Sequence, residues 1–177
     1  WVLDPIDGTK AFLAGKPTFG VLVGLVWRGR PVYGVIEQPH LGERWAGGAG
    51  HATTLNGRAV RTRPCPSLAQ ATLFATSPDM FKGGQAAFDR VRARVRYPVW
   101  GCDCYAYGLV ASGFADLVIE AGLSAYDWCA LVPVVEAAGG VITDWVGAPL
   151  TPHSDGRVIA AGDPRLHAEA LALLAGG

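Results

Sequence analysis

The sequence predicts an α/β protein in which a β meander precedes a segment of alternating strands and helices. Three observations carry that prediction. Strand-length apolar runs separated by Gly, Pro and Asn turn signals fill the stretch before residue 60. From Ala71 onward, short apolar strands alternate with segments of helical period. The 177 residues, 50% of them hydrophobic, suit one compact domain burying roughly 70% of its unfolded surface.

Val2-Leu3-Asp4 reads as the end of a buried strand, with neighbours expected on both sides, and Pro5 as its stop. Gly8 permits a tight turn, and Thr9 is placed to cap a short helical segment over Lys10–Ala14. Phe19–Trp27 and Val32–Gln38 are strands joined through Arg28-Gly29-Arg30-Pro31, and their near-continuous apolar character suggests cover on both faces. A third run, Glu43–Ala46, leads into Gly47-Gly48-Ala49-Gly50, read as a flexible connection. Leu55-Asn56-Gly57-Arg58 is the strongest short hairpin signal.

In the second part, Thr72–Ala75 reads as a strand and Asp79–Arg94 as an amphipathic helix. Tyr105–Ser112 is a helix closed by Gly113, and Ala115–Ile119 is a strand delivering Glu120 at its end. Asp127–Ala138 is a helix with Leu131, Val132, Val135 and Ala138 on one face, ended by Gly139-Gly140. Val141–Thr143 and Val158–Ala160 are short strands, and Pro164–Leu174 is a terminal helix with Pro in its first turn. Residues 94–98 and 145–156 carry no clear pattern.

Fifteen basic and fifteen acidic residues without charge blocks argue against nucleic acid or a membrane surface as partner. No apolar run approaches the roughly 20 residues of a spanning helix, and the start at Trp1 does not read as a signal peptide. Cys65, Cys102, Cys104 and Cys129 lack the spacing of a disulfide framework, so reduced thiols and a cytoplasmic location are expected. Cys102-x-Cys104 has no matching pair for zinc, and His40, His51, His153 and His167 are scattered. The tryptophans Trp1, Trp27, Trp45, Trp100 and Trp128 read as packing residues.

The chemistry concentrates in Asp4-Pro5-Ile6-Asp7-Gly8-Thr9. Two carboxylates three residues apart, held by a proline, can face one point, and hard oxygen ligands of this kind suit Mg²⁺. Gly8 lets the backbone approach a ligand, and the N–H groups of Gly8 and Thr9 open a helical turn, a natural place for phosphate. Asp-Pro and Asp-Gly are also ordinary turn dipeptides, so these residues alone leave a plain turn as the competing reading.

The longer string Trp1 to Thr9 resembles the signature of the inositol monophosphatase superfamily of Mg²⁺-dependent phosphatases. Ala125-Tyr126-Asp127-Trp128, followed by a helix and Ala137-Ala138-Gly139-Gly140, looks like that family's second motif. Taken alone, Asp127 could be a helix N-cap. The resemblance covers essentially the whole chain. It implies a layered α/β sandwich of αβαβα architecture with the N-terminal helices and strands absent. Residues 1–70 would then be the C-terminal part of a first α+β unit, and residues 71–177 a second αβα unit.

The resemblance also implies roles. Asp4, Asp7 and Asp127 would bind metal through carboxylates and Ile6 through its carbonyl. Gly8 and Thr9 would hold phosphate through backbone N–H groups, with the Thr9 hydroxyl and Asp7 serving the attack of water. Within the superfamily, Lys10–Pro17 and Trp100–Gly108 look like the branch that hydrolyses histidinol phosphate, with Glu37-Gln38-Pro39 and Glu43-Arg44-Trp45 as weaker support. A substrate bearing an ammonium should meet carboxylates, and Asp103 and Glu120 fall at substrate-side positions. Their competing readings are a helix cap near Cys104 and a strand-end charge. Inositol 1-phosphate is the alternative substrate.

The family's upstream acidic motif precedes the point where this chain begins, so the sequence reads as a fragment. A metal- or phosphate-binding remnant acting through oligomerisation is the non-enzyme alternative. A homodimer is expected by resemblance.

Overall fold

The computed structural model describes residues 1–176. Strands β1 (Val2–Asp7), β2 (Gly20–Trp27), β3 (Arg30–Gln38), β4 (Glu43–Gly48), β5 (His51–Leu55) and β6 (Arg58–Ala59) form an antiparallel meander in sequence order. Helix α1 (Thr9–Leu13) leaves the end of β1. A second sheet contains β7 (Thr72–Ala75), β8 (Tyr97–Trp100), β9 (Leu117–Glu120), β10 (Val141–Thr143) and β11 (Val158–Ala161), in the order β10-β11-β9-β7-β8. Its β9-β7-β8 part is parallel and its β10-β11-β9 part antiparallel. Helices α2 (Gln85–Arg92) and α6 (Pro164–Ala175) pack together beyond this sheet, while α3 (Tyr105–Ala111), α4 (Ala125–Trp128) and α5 (Leu131–Ala137) lie between the sheets. The result is the layered α/β sandwich that the sequence predicts. No helix among the described residues is long and apolar enough to cross a membrane.

Turn chemistry accounts for the meander. Arg28-Gly29, Ala49-Gly50 and Asn56-Gly57 each supply two residues with positive φ (49° and 75°, 52° and 85°, 50° and 79°). Two-residue loops of this kind match the right-handed twist of the strands they join. Gly47 and Gly48 are therefore strand residues leading into a tight hairpin, and not the flexible connection expected.

Two apolar cores flank the second sheet. Phe74, Val118, Val158 and Ala160 face the inner helices, while Leu73, Ile119, Ile159 and Ala161 face Phe88, Val91 and Leu166. Alternate residues of each strand thus serve opposite layers, which is why these strands read as continuously apolar. The first sheet is different. Leu22, Ile36 and Trp45 are buried on the helix-facing side, but the intervening residues of β2 and β3 are only half-buried. Among the described residues β1 pairs only with β2, at the sheet edge, and Trp1 (75%), Leu3 (58%) and Trp27 (65%) are exposed. Cover on both faces and packing roles for Trp1 and Trp27 are thus corrected.

Four element boundaries also differ from expectation. Pro5 does not end β1, because it sits where the pairing shifts between Asp4↔Leu22 and Asp7↔Gly20, a place where no ladder N–H is required. Gly8, in the left-handed region, and not Thr9, is the N-cap of α1. The helix expected from Asp79 is confined to Gln85–Arg92, since Gly83 (φ 74°) and Gly84 interrupt the turn before it. The helix expected over Asp127–Ala138 breaks into α4 and α5. Pro133 has no N–H to offer the Cys129 carbonyl, and its ring would collide there. Strand β8 lies in the stretch that carried no clear pattern.

The break between α4 and α5 docks on β3. A Cβ built on Gly34 would lie 1.9 Å from the Ala130 carbonyl oxygen, so helix and sheet backbones meet directly. Thr53 reinforces this contact by donating to the Val134 carbonyl at 2.6 Å. Replacing Gly34 with Ala should cost about 3 kcal/mol of stability in urea unfolding, at the upper end of overpacking penalties. Gly29→Ala, with open space around it and only φ strain to bear, should cost about 1 kcal/mol.

Candidate metal and phosphate site

One extra residue in β1 shapes the site. Between the pairs Asp4↔Leu22 and Asp7↔Gly20, β1 has two residues and β2 has one. Such a bulge re-aims neighbouring side chains. The Asp4 carboxylate folds back to accept the Ile6 N–H at 3.1 Å. Gly8, at φ 76°, turns the chain into α1, and the Thr9 hydroxyl donates to the Ile6 carbonyl at 3.1 Å. That carbonyl keeps its second lone pair free for another partner.

Asp7 is steered from the start of α3, where the Cys104 N–H donates to its Oδ2 at 2.7 Å. Asp127 arrives from the opposite side on α4. Its Oδ2 accepts the Ser124 N–H at 2.6 Å, while the Ser124 side chain accepts the Asp127 N–H in return. Asp127 is therefore the fourth residue of a capping box, at position N3, and not an N-cap. The box engages Oδ2 and leaves Oδ1 available.

Asp4, Asp7 and Asp127 present carboxylate oxygens within 4.8 Å of one another. None of the three takes part in a salt bridge among the described residues. Burial is the largest cause raising the Asp7 and Asp127 carboxyls, Asp127 to about 6, and mutual repulsion adds to it. Crowded carboxylates without a cationic partner fit a hard divalent cation. The donor set, three carboxylates beside the Ile6 carbonyl, is all oxygen, as Mg²⁺ prefers.

These residues line a cavity of about 830 Å³ together with Gly8, Thr9, Lys10, Thr76, Asp103 and Tyr126. Asp103 stands directly above Gly8. A Cβ on Gly8 would lie 3.0 Å from the Asp103 Cγ, so both the turn and the neighbouring carboxylate require glycine there. Asp103 itself is held at φ 47°. It does not cap α3, whose N-cap is Cys104. Burial pushes its carboxyl up to about 6, with Asp7 adding and Lys16 and Lys10 opposing.

Glu120 is not brought to the cavity surface. It is 3% exposed, and its oxygens accept Thr76 N–H at 3.1 Å, Thr76 Oγ1–H at 2.5 Å and Tyr107 O–H at 2.8 Å. It is neither a free strand-end charge nor an open carboxylate. It holds Thr76, which does line the cavity.

Sequence reading misses Thr76, Ser124 and Cys104. Thr76 follows directly on the apolar strand β7, the end of a parallel strand where ligand sites form. Ser124-x-x-Asp127 is a legible capping-box spacing. Cys104 acts through its backbone N–H and leaves no side-chain signal.

The burial of Glu120 has a consequence for stability. Desolvation raises its carboxyl from 4.5 to about 7, against the lowering by Thr76 and Tyr107. The folded state then holds this proton more tightly than the unfolded state, so the contribution is full below about pH 4.5 and lost as pH rises through about 7. Metal-free protein should lose on the order of 3 kcal/mol across that window relative to Glu120→Gln, at about 1.36 kcal/mol per unit. Urea titrations at a series of pH values check this, and parallel curves for the two proteins would contradict it.

The fold agrees with known proteins. A model of the inositol monophosphatase family matches residues 1–176. The bifunctional phosphatase IMPL2, chloroplastic, of Arabidopsis thaliana is 53% identical over 97% of this chain and 52% of its own length. A histidinol-phosphatase of Chlorobaculum parvum is 32% identical over 90% of this chain and 62% of its own. The structure of an inositol monophosphatase from Zymomonas mobilis superposes with a TM-score of 0.97 at 50% identity, covering 99% of this chain and 70% of that one. The chain thus spans about half to two thirds of the curated relatives it resembles here. Two distant acidic motifs, joined in one cavity on this layered framework, place the chain in the inositol monophosphatase family.

Proposed function

We propose that this chain carries the metal and phosphate site of a Mg²⁺-dependent phosphomonoesterase that hydrolyses histidinol phosphate to histidinol and phosphate. The observation that supports it best is the cluster of Asp4, Asp7 and Asp127 beside the Gly8–Thr9 turn, facing Asp103 across one cavity.

Asp4, Asp7, Asp127 and the Ile6 carbonyl would hold Mg²⁺. When bound there, Mg²⁺ supplies Lewis-acid chemistry, acidifying water and offsetting charge on phosphate and leaving-group oxygens. The N–H groups of Gly8 and Thr9 orient the phosphate, and Thr9, anchored on Ile6, holds its hydroxyl beside it. Water attacks phosphorus in line, the ester P–O bond breaks, and the alcohol leaves with a proton.

Substrate choice rests on the leaving alcohol. Histidinol places an ammonium one carbon from the ester carbon, and Asp103 lies beside the phosphate turn. A charge-assisted bond to that ammonium favours the amino alcohol over a neutral polyol. In this reading Glu120 serves the substrate through Thr76. The Chlorobaculum relative, named histidinol-phosphatase, supports the choice. The Zymomonas neighbour, named inositol monophosphatase, favours inositol 1-phosphate as the second reading. A homodimer and a cytoplasmic location belong to the proposal. The Arabidopsis relative, named chloroplastic, sets the competing compartment.

Phosphate release from histidinol phosphate should require Mg²⁺ and exceed release from inositol 1-phosphate. Asp7→Asn should lower it on the order of 10²-fold or more, as expected for loss of a metal ligand. Asp103→Asn should raise KM for histidinol phosphate about tenfold, which is about 1.4 kcal/mol, and leave KM for inositol 1-phosphate in place. No release from either ester, with Mg²⁺ still bound in calorimetry, would instead support the non-catalytic remnant.

A further inference from the structure

We propose that a smaller chamber adjoining the main cavity is the subsite for the heteroaromatic ring at the far end of the substrate alcohol. The inference rests on the histidinol phosphate reading and extends it. The chamber, about 320 Å³, shares Lys10, Thr76 and Asp103 with the main cavity, so the two spaces adjoin at the Asp103 side chain.

The chamber walls are tied in place by contacts distant in sequence. Lys16 Nζ donates to the Gly101 carbonyl at 2.9 Å, and Thr18 Oγ1–H donates to the same oxygen at 3.2 Å. These bonds clamp the segment after α1 to the turn that carries Asp103. On the other side, Glu120 fixes Thr76 through its N–H and its hydroxyl. A preformed space of this kind takes a ligand without ordering its own walls.

Order along the substrate matches order along the wall. Histidinol phosphate runs from phosphate to ammonium-bearing carbon, then through one methylene to the ring. The protein runs from the Gly8–Thr9 turn to Asp103, then into the chamber. A neutral azole presents one N–H donor and one nitrogen acceptor. The chamber offers donors in Ser77 and Lys16, an acceptor in Asp103, and the small apolar side chains of Ala11 and Ala14 for the ring face.

The test compares kcat/KM for histidinol phosphate, for phosphoethanolamine, which keeps the ammonium but lacks the ring, and for inositol 1-phosphate. The wild type should favour histidinol phosphate over phosphoethanolamine at least tenfold. Ala14→Leu, which fills the chamber from an exposed helix end, should reduce that ratio to under twofold and weaken histidinol binding in metal-free calorimetry in parallel. Circular dichroism reports whether A14L folds, and Ser77→Leu narrows the chamber from the other wall should it not. A ring advantage that is absent in the wild type, or persists in both variants, overturns the subsite alone. A wild type that prefers inositol 1-phosphate to both amino esters overturns the substrate reading beneath it.

Discussion

The direct backbone contact between β3 and the α4–α5 break is the constraint on which the site depends. Gly34 lets the Ala130 carbonyl approach to a distance that no side chain would permit, and Gly24 admits Cys129 next to it. This docking sets α4 against β1, and with it Asp127 against Asp4 and Asp7. The break is itself imposed by Pro133, so a local rule about proline decides where a distant carboxylate arrives. Bringing three carboxylates together costs free energy in burial and repulsion. Packing between the sheets, centred on residues such as Trp45, Tyr107 and Trp128, has to supply it.

The other buried acids show what is particular about the cluster. Asp116 is 1% exposed, yet it accepts both Arg63 Nε and Nη2 and the Thr72 N–H. Asp163 accepts the N–H groups of Cys65 and Arg165 together with the Arg165 guanidinium, which hold its carboxyl down at about 2. Glu120 has three donors. These three carboxylates tie segments of chain together, and all are satisfied within the protein. Asp4, Asp7 and Asp127 each use one oxygen to accept a backbone N–H and have no cationic partner among the described residues. The first set is fully buried and the second only half-buried, so depth alone would have made the first set the costlier one to leave unpaired. Partnering distinguishes the two sets.

How much of this was legible in the sequence varied with the range of the cause. The hairpins at Arg28-Gly29 and Asn56-Gly57 were legible because those dipeptides dictate φ locally, whereas the turn at Ala49-Gly50 was masked by the glycines before it. The superfamily was legible because Trp1–Thr9 and Ala125–Trp128 are local strings. The bulge at Pro5 was not, since it exists only relative to the register of β2. Strand β8 was obscured by Pro98, tolerated because β8 lies at the edge of its sheet. Glu120 was placed at its strand end from sequence, but which way a strand-end side chain faces depends on the sheet beneath it. Here it turns toward Tyr107 in the core and not toward the cavity. Cys104 was illegible for another reason: the group that steers Asp7 is its peptide N–H, which every residue but proline has.

Backbone strain concentrates at Asp103. A non-glycine residue at φ 47° is uncommon and costs on the order of 1 kcal/mol. The surroundings over-determine it: Gly101 before it also has positive φ, the Lys16 and Thr18 bonds clamp the turn, and Cys104 after it is committed to Asp7. The same turn therefore delivers, on adjacent residues, the Asp103 carboxylate and the N–H that steers Asp7. Relaxing Asp103 into the ordinary right-handed region would swing the Cys104 N–H off Asp7, so the positions of the Asp103 and Asp7 carboxylates cannot be changed independently. That coupling is a physical reason for the leaving-group side and the phosphate side to be read as one site.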